Sequence, residues 1–181
     1  MDASAGRCGD AAMKEEEPAQ IGTPSHCPKA LYDQDEFGWL LEQAELLRDG
    51  RLDEIDRASL VEFLTEMARN KKREFRSAMT VLLHHLLKVA VQPEKVTRSW
   101  LLTIDEQQGE AQALIEDEPG MRQYLPDLYA KAYPAARRRA SIETGIGIDR
   151  FPADNPWTMD EALTFVPPAP PRRGRRAMQK G

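Results

Sequence analysis

One histidine, two glutamates and one arginine are the side chains of this sequence best suited to acid–base chemistry. On a helical wheel at about 100° per residue, His85 falls on the flank of an apolar face and should be partly buried, whereas His84 falls on the opposite, solvent-facing side. Glu62 and Glu66 are four residues apart, so they share a helix face on which two carboxylates could pair or hold a metal. With Arg98, these residues could form the site of a hydrolase or nuclease-like enzyme, provided that they converge in one cleft.

Each of these residues also has a simpler interpretation. His85 could be a hydrogen-bonded residue at the edge of a helix bundle, and the glutamates could belong to an ordinary solvated surface. The sequence has no Glu-x-x-His pair, glycine-rich phosphate loop, His-Glu-x-x-His, Cys-x-x-Cys or Gly-x-Ser-x-Gly motif. It therefore predicts no metal and no cofactor. We interpret Arg137, Arg138 and Arg139 as charges that complement the C-terminal dipole of a helix.

The elements that must position these residues are helical, because apolar residues recur with helical spacing and no strand-like alternation interrupts them. We predict an all-α fold, a single bundle of about five to six helices. Residues 56–92 form either two helices separated at Asn70 or one long helix with a bend. The predicted helices cover residues 33–49, 56–69, 70–92, 98–117, 126–144 and 159–164.

Individual residues predict where these helices end or bend and which of their faces are buried. Gly50 should end the first helix in the left-handed conformation. Pro134 should kink the fifth helix, and Thr158 with Glu161 forms a capping box for the last one. The predicted buried stripe of the first helix consists of Phe37, Leu40, Leu41, Ala44 and Leu47.

Composition and charge limit the classes of partner. The chain has 181 residues and a formal net charge of −5, but residues 167–181 hold five cations and no acid, so residues 1–166 carry −10. An acidic body repels nucleic acid, whereas the proline-rich basic tail could bind an anionic partner. We predict disordered tails at 1–29 and 167–181 around a helical domain at 30–166. Two cysteines in the first tail, and no apolar run that could span a bilayer, indicate a cytoplasmic protein without membrane contact.

The order of several motifs resembles a bacterial domain of unknown function, number twenty-nine in its series, which occurs in cyanobacteria and proteobacteria. The resemblance covers about residues 31–166 and implies an all-helical fold without an established activity. It also implies polar positions at His85, Arg98 and Gln92, whereas two acids of the family pattern are missing at residues 62–65. The motifs are Tyr32-Asp33-x-Asp35, Leu52-Asp53-x-Ile55-Asp56, Leu82-Leu83-x-His85-Leu86-Leu87-Lys88, Gln92-Pro93-Glu94, Arg98-Ser99-Trp100, Glu143-Thr144-Gly145 and Asn155-Pro156-Trp157-Thr158.

The sequence favours a small, non-enzymatic interaction or assembly module, with a protein partner or a second copy of the chain as its binding partner. Two alternatives stay open. One is the hydrolase or nuclease-like enzyme that would use His85, Glu62, Glu66 and Arg98. The other is binding of an anionic partner through the basic tail, which predicts steeply salt-dependent affinity.

Overall fold

A computed structural model describes residues 32–166 and residue 168. Within these residues the secondary structure is helical and no strand is present, which confirms the predicted all-α fold. Apart from residue 168, the predicted tails at 1–29 and 167–181 lie outside the described residues.

Short 3₁₀ turns join the α-helices of the described residues. These turns are Leu52–Glu54, Pro93–Lys95, Pro119–Tyr124 and Ile148–Arg150. The α-helices are α1 (Glu36–Arg48), α2 (Arg57–Val91), α3 (Arg98–Asp117), α4 (Leu125–Thr144) and α5 (Met159–Leu163).

Helix α2 is continuous through Asn70, which settles the choice between two helices and one. The side chain of Asn70 does not cap a new helix; its Oδ1 accepts a hydrogen bond from Arg73 one turn later. Residues 57–91 contain neither glycine nor proline, so no residue in this stretch breaks the backbone hydrogen bonding.

The described residues fall into two compact units, which divide between Ser59 and Leu60. In the first unit, Asp35 caps α1 by accepting a hydrogen bond from the backbone N–H of Gly38 at 2.9 Å. The predicted buried stripe of α1 is wrong, because Phe37, Leu41 and Leu47 are exposed. The helix instead buries three residues at i, i+4 and i+7, namely Trp39, Gln43 and Leu46.

Gln43 explains this rotation of α1. Its side-chain Oε1 accepts a hydrogen bond from the backbone N–H of Asp56 at 2.9 Å, so a polar residue takes a buried position. Trp39 lies one turn earlier and is fully buried. Burying a tryptophan removes more apolar area from water than burying any one of the predicted leucines does.

The second unit holds the hydrophobic core. Helix α2 contributes its C-terminal half to this core, from Phe75 to Val89. Helices α3 and α4 pack around it and supply Ile104, Leu128 and Tyr133 among others. Helix α5 packs against α3 and adds Ala162 and Leu163 to the core.

Polar side chains of α3 and α4 fasten the C-terminal segment to this core. Gln108 Nε2 donates to the carbonyl oxygens of Ala162 at 2.9 Å and of Phe165 at 3.0 Å. Tyr129 donates its hydroxyl hydrogen to the carbonyl oxygen of Trp157 at 2.9 Å. The capping box of α5 is confirmed, since Thr158 and Glu161 bond each other's backbone N–H groups.

The three consecutive arginines of α4 do not lie in its last turn, which contains no basic residue. The interpretation of these arginines as dipole complements is therefore wrong. Arg137 donates to the carbonyl oxygens of Ile148 at 2.9 Å and of Phe151 at 3.1 Å, and so holds the loop that follows α4. Arg138 and Arg139 are exposed on another side of the helix.

Candidate functional site

A buried polar cluster connects α2 with α4 inside the second unit. His84 is only 1% exposed and Lys88 only 3% exposed, and both lie on α2. The carboxylate of Glu143 on α4 meets both of them: Oε2 contacts Nε2 of His84, and Oε1 lies 3.2 Å from Nζ of Lys88. The ammonium of Lys88 also lies 4.0 Å from the ring centre of Trp100, so a carboxylate and an aromatic ring both stabilise its charge.

The two histidines of this cluster are uncharged near neutral pH. Burial lowers the pKa of His84 to about 4; the Glu143 carboxylate opposes this shift, and the charges of Lys88 and Arg139 add to it. Burial likewise lowers the pKa of His85 to about 4. Nδ1 of each ring is buried without a hydrogen-bond partner among the described residues. These orphaned nitrogens cost free energy in the folded state.

Desolvation acts to raise the pKa of Glu143, but the hydrogen bond from Lys88 and the nearby imidazole of His84 outweigh it. The pKa of Glu143 is therefore lowered. Its side chain remains 50% exposed, so one carboxylate joins the buried cluster to the surface of the molecule.

The helical wheel is wrong about His84 but right about His85, which it predicts to be partly buried. His84, predicted to face solvent, is buried, and His85 is only half-buried. The wheel assumes one buried face, but α2 is buried on every side here. At about 100° per residue, its buried residues in this stretch are spread around the whole circumference, namely Leu82, Leu83, His84, Leu86, Leu87, Lys88 and Val89. His84 is also the histidine that contacts a carboxylate.

The predicted catalytic residues do not converge. Glu62 and Glu66 precede His85 on the same continuous helix, and at 1.5 Å per residue they lie about 35 Å and about 29 Å from it along the axis. Glu66 pairs instead with Arg69 and Arg73. Arg98 lines a separate hollow beside Leu101, Asp105 and Phe165.

A groove rich in basic residues lies between α2 and α4, and no motif of the sequence indicated it. It consists of two hollows of about 430 Å³ and about 520 Å³ that share Thr80, Ala135 and Arg139. Glu143 lines the second hollow and also contacts His84 and Lys88, so it joins the groove to the buried cluster. We call this surface the basic groove; its lining is Arg73, Arg76, Ser77, Thr80, Val81, Lys131, Ala135, Arg138, Arg139, Ile142 and Glu143.

The family profile of a domain of unknown function matches residues 31–166, which span every helix described above. The chain belongs to the DUF29 family. Comparisons with curated proteins and with solved structures found no significant match. The family therefore assigns no activity to the basic groove or to the buried cluster.

The cations of the basic groove differ in how far they are neutralised. Arg73 pairs with Glu66, and its hydrogen bond lowers the pKa of that carboxylate. Lys131 lies 2.7 Å from Asp127 on its own helix. Arg76, Arg138 and Arg139 have no carboxylate partner among the described residues. Two of them, Arg76 and Arg139, line the same hollow of the groove.

Within residues 32–166, no three histidine, cysteine or carboxylate side chains lie close enough together to hold a metal ion. No helix among these residues is long and apolar enough to cross a bilayer.

Proposed function

We propose that this DUF29 protein is a non-enzymatic interaction module that binds an acidic segment of a partner protein in the basic groove. The observation that carries the proposal is the pair Arg76 and Arg139, two guanidiniums from different helices that line the same hollow, where the described residues offer neither of them a carboxylate partner. Unpaired arginines in a groove attract carboxylate or phosphate groups, because their planar donors match these anions.

The buried cluster supports a non-enzymatic role. Its imidazole and ammonium groups are the charged or titratable groups buried most deeply in the core, but His84 is covered by Glu143 and by the leucines around it. A general base must come within hydrogen-bond reach of the proton that it removes. A side chain that is 1% exposed offers a substrate no such approach.

The net charge of residues 1–166 favours a short acidic segment over an extended polyanion. Residues 1–166 carry a net charge of −10, which repels a nucleic acid or an anionic bilayer over about 8–10 Å at physiological salt. A single acidic segment experiences mainly the local field of Arg76, Arg139 and their neighbours. Electrostatic complementarity of this kind governs the selection of partners.

Fluorescence anisotropy with a short labelled oligoglutamate peptide tests the proposal on the full-length chain. We expect Arg76→Gln and Arg139→Gln each to weaken binding about tenfold, since each removes a charge-assisted contact. The matched control is Arg98→Gln with Arg150→Gln, two exposed arginines outside the groove, which should leave the affinity within about twofold.

A second full-length variant separates the groove from the basic tail. It replaces Arg172, Arg173, Arg175 and Arg176 by glutamine. If this variant loses the peptide while the groove variants retain it, the tail is the binding site and the proposed groove function is rejected. Retention of the peptide by the tail variant, with loss in the groove variants, supports the proposal.

A further inference from the structure

We infer that the basic groove selects a phosphate monoester, carried on a side chain of the partner, over a carboxylate. This inference rests on the groove function proposed above and adds the chemical class of the anion. It follows from which charges of the groove are already paired and which are not.

The unpaired charge of the first hollow matches a dianion. Arg73 shares the carboxylate of Glu66 with Arg69, and Lys131 pairs with Asp127. This leaves Arg76 and Arg139 as the two cations of the hollow that have no carboxylate partner among the described residues. A phosphorylated side chain carries about −1.5 to −2 at pH 7. A glutamate or aspartate side chain carries a single negative charge and would leave one guanidinium uncompensated.

The arrangement of donors also suits a tetrahedral anion. Arg76 comes from α2 and Arg139 from α4, so two different helices supply guanidinium donors to the hollow. The hydroxyl of Ser77 lines the same hollow and has no hydrogen-bond partner among the described residues. Donors from several directions can engage three phosphate oxygens, whereas a planar carboxylate has only two.

One hydroxyl of the hollow is excluded from this donor set. Thr80 donates its hydroxyl hydrogen to the carbonyl oxygen of Arg76 at 2.7 Å. It therefore stabilises the backbone of the helix and is not free to donate to a ligand. The donors that we assign to the phosphate are Arg76, Arg139 and Ser77.

NMR titration of the full-length protein compares two small probes that differ in the anionic side chain, N-acetyl-phosphoserine amide and N-acetyl-glutamic acid amide. We expect the phosphoserine probe to bind about tenfold more tightly at pH 7.5, which is the effect of one additional charge-assisted contact. Shifts should concentrate on the amides of Ser77, Thr80 and Arg139. The preference should decline towards pH 5, because the second phosphate ionisation has a pKa of about 6.

Paired variants separate charge from geometry. Arg76→Lys with Arg139→Lys keeps both charges but removes the planar donor forks, so it should retain binding of both probes and lose most of the tenfold preference. Arg76→Gln with Arg139→Gln should abolish binding of both. Ser77→Ala should reduce the affinity for the phosphoserine probe more than the affinity for the glutamic acid probe.

The outcomes distinguish this inference from the function on which it rests. Equal affinity for the two probes, with both lost in the glutamine variant, overturns the phosphate inference and leaves the acidic-segment proposal standing. Shifts that avoid the groove, or that persist in the glutamine variant, overturn both. A preference for phosphoserine that disappears in the lysine variant supports the inference.

Discussion

The ammonium of Lys88 lies 3.2 Å from the carboxylate of Glu143, and the lysine is buried whereas the glutamate is half exposed. A buried cation that loses its counter-ion retains the cost of its desolvation. We therefore expect Glu143→Gln to lower the free energy of unfolding by about 1–3 kcal/mol in urea denaturation. The control Glu106→Gln, at an exposed position of α3, should change it by less than about 0.5 kcal/mol.

A double variant tests whether that loss arises from the unpaired charge. Lys88→Met with Glu143→Gln removes both charges, and we expect it to be more stable than Glu143→Gln alone. Equal destabilisation of the single and double variants would show that packing, rather than the buried ammonium, determines the effect.

Stability should rise with pH across the acid range because of His84 and His85. Their folded-state pKa values of about 4 lie below the unfolded value of about 6.5. Between these pH values the unfolded chain binds more protons than the folded chain. The contribution of the histidines to the free energy of unfolding is therefore fully present above about pH 6.5 and is lost as the pH falls towards 4. The slope is at most about 1.4 kcal/mol per pH unit for each histidine.

Urea unfolding at a series of pH values from about 4 to about 7.5 measures this slope across the range in which the histidines titrate. Glu143, whose folded pKa is also lowered, contributes in the same direction at the acid end. His84→Gln with His85→Gln should flatten the dependence between about pH 5 and about pH 6.5. An unchanged slope in that double variant would assign the pH dependence to carboxylates alone.

Arg137 should contribute more to the stability of the protein than its neighbour Arg138, although both are arginines of the same helix. Arg137 donates to two carbonyl oxygens of the loop after α4, so Arg137→Gln leaves these acceptors without their donor. We expect a loss of about 1–2 kcal/mol and faster amide exchange in residues 148–152. Arg138→Gln is the matched control and should leave both quantities close to wild type.

Replacing each of two glycines by alanine should change the stability of the protein in opposite directions. Gly145 ends α4 with φ at +71°, so Gly145→Ala should destabilise the protein by about 1 kcal/mol. Gly109 lies inside α3 and has open space where a β-carbon would stand, so Gly109→Ala should stabilise it by about 0.5–1 kcal/mol. Thermal melting compares the two variants directly, and a shift of the same sign in both would contradict the backbone argument.

Features set by neighbouring residues could be predicted from the sequence. The capping box of Thr158 and Glu161 and the left-handed Gly50 depend on contacts within one helical turn. The continuity of α2 could also be predicted, since its sequence lacks glycine and proline. Asn70 suggested a boundary there because asparagine is common at helix starts, but it remains inside the helix.

The candidate site depended on distant partners and could not be predicted in the same way. His84 is buried because α4 brings Glu143 against it from 59 positions along the chain, and a single wheel does not contain that information. The basic groove likewise joins Arg76 to Arg139. Each of these arginines alone is an ordinary surface cation of a charged helix.

Helix α2 is one uninterrupted helix with an exposed first half and a second half that lies in the hydrophobic core. Every residue at positions 60–74 is partly or fully exposed, whereas Phe75 opens the half that enters the core. An isolated helical stretch of about 15 residues is marginal in water, so the first half can fray without global unfolding. Amide hydrogen exchange should therefore be fast before Phe75 and slow after it, although both halves belong to one helix. The basic groove begins where the protection changes.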